Sequence, residues 1–250
     1  MSALALAQDA GAGSAAQARR ESWRRGMYRM RQSGLSMVGL VLVVVLLVLA
    51  AVGHWIAPFP EHITGSIDTA MRFKAPSWQH WMGTNELGQD VLSLVLGGAR
   101  ISLFAGVAVV LLAAAVGTIV GAAAGYLGGW TDEVLSKREE VYVLAARALG
   151  AGPVRILWRH ILPNIVSPVI VKMSLDVGFA VLTVASLGFV GIGVKPPTPE
   201  WGQMLSTARG FLPDYWWAAI FPGAAIFVAV LSFNLLGDGL RDVLDPKSRR

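Results

Sequence analysis

Two carboxylates four residues apart, Glu86 and Asp90, have a spacing that could do chemistry. Four residues is one helical turn, so both can share a face. Paired acids can divide general acid–base work, but the same spacing suits a solvated helix face, and that is the expectation here. Lys172 and Asp176 form a second i, i+4 pair, set in an apolar stretch. At 1.5 Å per residue Asp176 lies roughly 20 Å beyond Pro163, deep in a span. Charges at that depth default to a functional hypothesis. Two readings stay open for the pair: a polar lining for a charged solute such as a peptide terminus, or an internal ion pair facing the helix bundle. Asn234 is a third polar group at span depth. The four histidines, at 54, 62, 80 and 160, are scattered without metal-ligand spacing. No cysteine is present to serve as thiolate nucleophile or ligand. The chain has no G-x4-G-K-[ST] phosphate loop, no H-E-x-x-H and no G-x-S-x-G serine. No catalytic residue and no metal site is expected, and any energy for uphill work must come from elsewhere.

The elements that carry these residues are membrane spans. Hydrophobic residues make up 54% of the chain and charged ones only 15%, too apolar for an ordinary soluble domain. Several uncharged runs exceed the roughly 20 residues that cross a bilayer. The expected fold is all-α, a polytopic membrane helix bundle with four visible spans. Residues 1–32 are a tail carrying Arg19, Arg20, Arg24, Arg25, Arg29 and Arg31, which places this end in the cytoplasm. Residues 33–57 form span 1, closed by His54 and Trp55 at the interface. Residues 58–100 read as an extracytoplasmic loop and 101–128 as span 2. Gly117, Gly121 and Gly125 form overlapping GxxxG units on span 2, a stripe for close helix packing, expected within this subunit. Residues 129–160 are a cytoplasmic loop, 161–194 span 3, 195–216 an extracytoplasmic loop, 217–237 span 4 and 238–250 a basic cytoplasmic C-terminus. The prolines of the second loop forbid helix and predict an extended segment, ending in an aromatic belt at Tyr215, Trp216 and Trp217. Gly237 and Gly239 are expected to break the last helix. The net charge of +5 reads as orientation in the membrane, not as nucleic-acid binding.

The cytoplasmic stretch Glu139 to Pro163 is the longest charged interruption in the second half. Val141, Leu144, Ala145, Ala148 and Leu149 recur at helical spacing. Gly150 ends that short helix in a left-handed cap. Ala145 and Ala146 leave room for another protein's surface to reach the backbone, and Arg147 keeps the segment on the cytoplasmic side. Pro163 suits the start of the following span.

These residues resemble the coupling-loop signature of permease subunits in binding-protein-dependent ABC importers, roughly E-A-A-x3-G-x9-I-x-L-P. Ala145, Ala146, Gly150, Leu162 and Pro163 match at the right spacing, while Leu144 replaces the glutamate and His160 the isoleucine. The run Gly83 to Ser93, GTNELGQDVLS, resembles the segment before span 2 in the dipeptide, oligopeptide and nickel branch. The same branch is matched by Gly191-x-Gly193-x-x-Pro196-Pro197-Thr198-Pro199-x-Trp201-Gly202 and by the C-terminal LSFNLLGDGLRDVLDPKSRR. The resemblance covers about Gly83 to Lys247. It departs once: relatives carry two further spans between segments like GYLGGWTDEVL and REREYVEAARALG, so about fifty residues are absent near 135/136. A real internal deletion or an unobserved stretch closed up in the numbering would each explain this, and the unobserved stretch is the expectation. Lost spans come as a pair, so the remaining loops keep their sides.

The resemblance implies an inner-membrane permease of the type I importer fold, which usually has six spans. It implies a second homologous permease, two ATP-binding subunits that hold ATP and Mg, and an extracytoplasmic solute-binding protein. The chain itself would bind no cofactor. Val141, Leu144, Ala145, Ala146, Arg147, Leu149, Gly150 and Pro163 would couple the ATPase to the spans. Lys172, Asp176 and Asn234 are candidate pathway residues, and Pro196, Pro197, Pro199 and Trp201 are the candidate dock for the binding protein. The alternatives are a shortened, non-conducting scaffold of such a complex and an ion-driven secondary transporter, in which the coupling segment would have no role.

Overall fold

The computed structural model describes residues 34–127 and 162–244. The coupling segment 141–150 and the arginine-rich tail lie outside the described residues. Six α-helices follow in order: α1 Gly34–Ile56, α2 Pro60–Ile63, α3 Val91–Leu127, α4 Leu162–Val190, α5 Trp201–Ala208 and α6 Trp217–Leu244. No strand occurs among the described residues. Four of the helices, α1, α3, α4 and α6, are long and apolar enough to cross a membrane. Helix is what such sequences must form in lipid, because every backbone N–H and C=O then finds a partner within its own segment.

The four long helices close a ring. α6 packs on α4 and α1, and α3 packs on α4 and α1. The buried residues that hold the ring are mostly small or β-branched, among them Val43 of α1, Ala180 and Val181 of α4 and Ala229 of α6. Small side chains let helices approach closely, the main attraction available in lipid. At Gly106 of α3, an added Cβ would stand 2.5 Å from Val181.

Several boundaries differ from the sequence reading. α3 begins at Val91, ten residues before the expected start of span 2. Gly97 and Gly98, read as loop, lie within it, where their missing side chains admit Ile63 and Trp201. α6 does not break at Gly237 or Gly239 but continues to Leu244. Those glycines instead accept Leu175 of α4 and Ser36 of α1, each within 2.6 Å of where a Cβ would sit. The segment after α4 is not extended throughout. The prolines end with Glu200, which caps α5 by accepting the N–H groups of Gly202 and Gln203 at 2.8 Å each. The shortening expected near 135/136 lies outside the described residues.

Candidate functional site

α4 carries an uncovered polar stripe. Lys172, Asp176, Phe179, Thr183 and Ser186 fall at steps of four, three, four and three, so they share one face. The opposite face buries Val177, Val181 and Ala185 against the ring. Thr183 and Ser186 donate to the carbonyls of Phe179 and Leu182 one turn back, at 2.9 and 2.8 Å, so their hydroxyls are satisfied within the helix. Lys172 and Asp176 satisfy each other in an ion pair. Yet Lys172 is 73% exposed and Asp176 40% on the surface of this chain. Asp176 sits midway along the 29-residue helix, about 21 Å from either end at 1.5 Å per residue. The pair therefore faces away from the chain's own core, and the reading of an internal pair facing this bundle does not hold within the subunit. Asn234 of α6 is also exposed rather than buried, with its side-chain oxygen beside Gly178 of α4.

At one end of the ring, residues 57–90 and 191–216 fold together as a cap. Its hub is Asp90, 1% exposed, and not the solvated helix-face residue the spacing predicted. Asp90 precedes α3. Its Oδ2 accepts the N–H and the hydroxyl of Ser93, both at 2.8 Å. Its Oδ1 lies 2.9 Å from Nδ1 of His80, and its own N–H donates to Nδ1 of His62 at 2.9 Å. Ser93 Oγ in turn accepts the N–H of Phe59, whose ring stacks against His62 and His80. Spacing alone left these two histidines scattered, but the fold gathers them. The geometry is not that of an activated serine: the Ser93 hydroxyl bonds to the carboxylate, with no imidazole as its base. The cluster ties α2, the cap and the start of α3 into one knot.

The Asn85 side chain builds the next turn. Its Oδ1 accepts the N–H groups of Leu87 and Gln89 at 3.0 and 2.8 Å. Gly88 has φ +76°, and a Cβ there would lie 1.7 Å from the carbonyl oxygen of Asp68, so only glycine closes this turn. Glu86 is left at its tip. Burial pushes the Glu86 carboxyl above its ordinary value of 4.5, against a backbone hydrogen bond and the Arg72 guanidinium, which pull it down. Across a cavity of about 270 Å³ from this turn stands the proline run.

Pro196 and Pro197 are exposed, as a docking surface requires, but Pro199 and Trp201 are not. Trp201 is 1% exposed and donates its indole N–H to the Val95 carbonyl at 2.9 Å. Those two residues lock the cap onto α3 and cannot meet a partner. Trp217 likewise leaves the expected aromatic belt: it is buried and donates to the Thr84 carbonyl at 3.0 Å. Tyr215 stacks on Phe73 with ring centres 3.9 Å apart. The glycine stripe of α3 departs from expectation as well. Among the described residues, nothing lies within 4 Å of where a Cβ would sit on Gly117 or Gly121, so they serve no packing with the described parts of the subunit.

A capped ring of apolar helices bearing a mid-span charge pair is what a membrane transport component would present, and comparison with known proteins decides the family. Residues 10–250 match the family described as "Binding-protein-dependent transport system inner membrane component". The chain belongs to that family. It is 36% identical to the glutathione transport system permease protein GsiD of Escherichia coli O6:K15:H31, over 91% of each chain. The same identity and coverage relate it to GsiD of Shigella boydii serotype 4 and of Escherichia coli O157:H7. Family membership makes the chain a permease subunit of an ABC importer in the inner membrane, served by a solute-binding protein and ATP-binding partners. The alignments span 279 positions while taking in 91% of this chain, about 228 of its 250 residues. About 51 positions therefore face no residue here.

Proposed function

We propose that this permease subunit moves peptides of the glutathione kind, and that the α4 stripe lines the route. One observation carries the reading: the Lys172–Asp176 pair lies at mid-span on a face that the described residues leave open. A charge turned to lipid at that depth costs several kcal/mol, so the face belongs against a second permease or a watery path between the two. An ammonium and a carboxylate one turn apart complement the carboxylates and amine of a small peptide. With a cytoplasmic N-terminus, set by the six arginines of the tail, the cap faces outward and the segment 141–150 faces the ATPases. The assembly comprises this chain, a second homologous permease, two ATP-hydrolysing subunits holding ATP and Mg, and the binding protein. Nucleotide binding moves the coupling segment and tilts the spans between two states, each favoured by different contacts.

The test is peptide uptake into proteoliposomes by the complex carrying Asp176→Ala. Slowed uptake with an undiminished yield of assembled complex is the expected result. Normal uptake removes Asp176 from the route. A second reading, a non-conducting scaffold, is favoured by the 51 unmatched positions and by the uncovered Gly117 and Gly121. Peptide-stimulated ATP hydrolysis without peptide accumulation would select it.

A further inference from the structure

Among the described residues, the cavity of about 270 Å³ between the Asn85–Gln89 turn and the Pro196–Pro199 run is lined by one charged side chain, the Glu86 carboxylate, and by no cation. Each of its three side-chain amides already donates within the chain. Asn85 Nδ2 donates to Gln89 Oε1, Gln89 Nε2 to the Ser66 carbonyl, and Gln203 Nε2 to Thr207 Oγ1. Three of the four residues in the proline run have no N–H to offer. Acceptors remain. Among the described residues, the Glu86 carboxylate meets no side-chain donor, and Gln203 Oε1 accepts no hydrogen bond. Arg72 is the nearest cation named for Glu86, but it makes no ion pair there and stands over the Phe73 ring, 5.8 Å from its centre. Apolar walls from Ile67, Leu87 and Met204 complete the lining.

We propose that this cavity is a cation site that receives one lysine or arginine side chain of the solute-binding protein. The inference rests on the outward orientation of the cap given above. Apolar walls suit the methylene stem of such a side chain while its head reaches the carboxylate. The volume falls below the 300–1,000 Å³ or so of small-molecule sites, which favours a single side chain over a whole peptide. Position agrees, because exposed Pro196 and Pro197 form the rim. The Asn85 clamp holds Glu86 in place before the partner arrives, which limits the ordering needed on binding.

The experiment uses the complete complex in nanodiscs and the solute-binding protein that co-purifies with it. ATP hydrolysis is measured against binding-protein concentration. Glu86→Gln keeps the shape and removes the charge. The half-saturating concentration is expected to rise roughly tenfold or more, the lower end of the range for close interfacial charge pairs, and its dependence on salt to flatten. Restoration by exchanging charges, Glu86→Lys with one basic residue of the binding protein changed to glutamate, identifies the partner side chain. A half-saturating concentration within twofold of wild type overturns the proposal. So does a loss confined to peptide affinity at saturating binding protein, which would make the peptide's own amine the occupant. If Glu86→Gln does not assemble, the wild-type complex is titrated in millimolar agmatine, an alkyl guanidinium, against sodium chloride of equal ionic strength. A rightward shift supports the site and its absence overturns it. Failure of the transport reading is separate: there, uptake is absent whatever the affinity for the binding protein.

Discussion

Asp90→Ala should loosen the cap without touching the polar stripe on α4. The substitution removes a helix cap of α3, which typically stabilises by about 1 kcal/mol. It also leaves the buried His80 nitrogen without its partner 2.9 Å away, and the Ser93 hydroxyl without its acceptor. Each buried polar group stranded this way costs about 1–3 kcal/mol. The total is about 3–7 kcal/mol. For a chain of this length that corresponds to a Tm lower by on the order of 10 °C. Asp90→Asn is the informative companion. Its amide oxygen can still accept from Ser93, and its amide nitrogen can donate to His80 in the other ring tautomer, so a loss of about 1–2 kcal/mol is expected. The assay is thermal unfolding of the purified complex, combined with limited proteolysis in the 58–90 segment. Asp90→Ala should melt early and be cut first within the cap, with Asp90→Asn between it and wild type. An Asp90→Ala protein that melts within 2 °C of wild type and resists protease equally would refute the hub. Equal damage from both substitutions would show that charge, not the hydrogen-bond count, holds the knot.

Gly150→Pro and Ala146→Trp should each uncouple ATP hydrolysis from uptake or prevent ATPase docking, since one fixes φ and the other adds bulk where a close approach is needed; co-purification and uptake assays read this. Gly202→Ala should destabilise the packing of α5 on α4 by about 2 kcal/mol or more, because its Cβ would lie 2.1 Å from the Ala185 carbonyl oxygen. Gly117→Ala, in open space, should leave the thermal stability of the isolated subunit unchanged or slightly raised. Glu86 supplies a pH dependence. Its carboxyl is raised in the folded cap by burial, so its contribution to stability is fully present below about 4.5 and is lost as pH rises through the raised value. Wild type should therefore gain stability relative to Glu86→Gln on acidification toward that range, as followed by melts across pH.

Spans and family motifs were legible because each is a local signal. Twenty uncharged residues in a row, arginines beside a span, and proline runs at fixed spacing need no knowledge of neighbours. The cap was not legible for the opposite reason. His62 and His80 meet Asp90 only after residues 28 and 10 positions away fold back, and no periodicity reports that. Glu86 and Asp90 look equivalent at i, i+4, yet one tops a turn and the other is sealed beneath it, because Asn85 and Gly88 bend the chain between them. Trp201 and Trp217 show a related limit. Tryptophan after a loop suits an interface belt or a buried anchor equally well, and only the carbonyls of Val95 and Thr84 decide the matter. Asn85 beside glycine, N-E-L-G, was the available signal for a turn and was read instead as part of a helix face.

The glycines of α3 lie on a face that the described residues leave open. The first half of α3 is buried by α1, α4 and the cap, while nearly every side chain from Leu111 to Gly121 is exposed. Lipid tolerates such a face, since hydrocarbon is as apolar as the side chains it would replace. A bundle with such an open apolar face can therefore persist in a membrane where a soluble core with the same gap would not. The charge pair on α4 obeys a different rule. Lipid does not tolerate it, so some protein or aqueous surface must lie opposite Lys172 and Asp176. The described ring is thus open on two unequal faces: one can be left to the bilayer, and the other calls for a protein or aqueous surface opposite it.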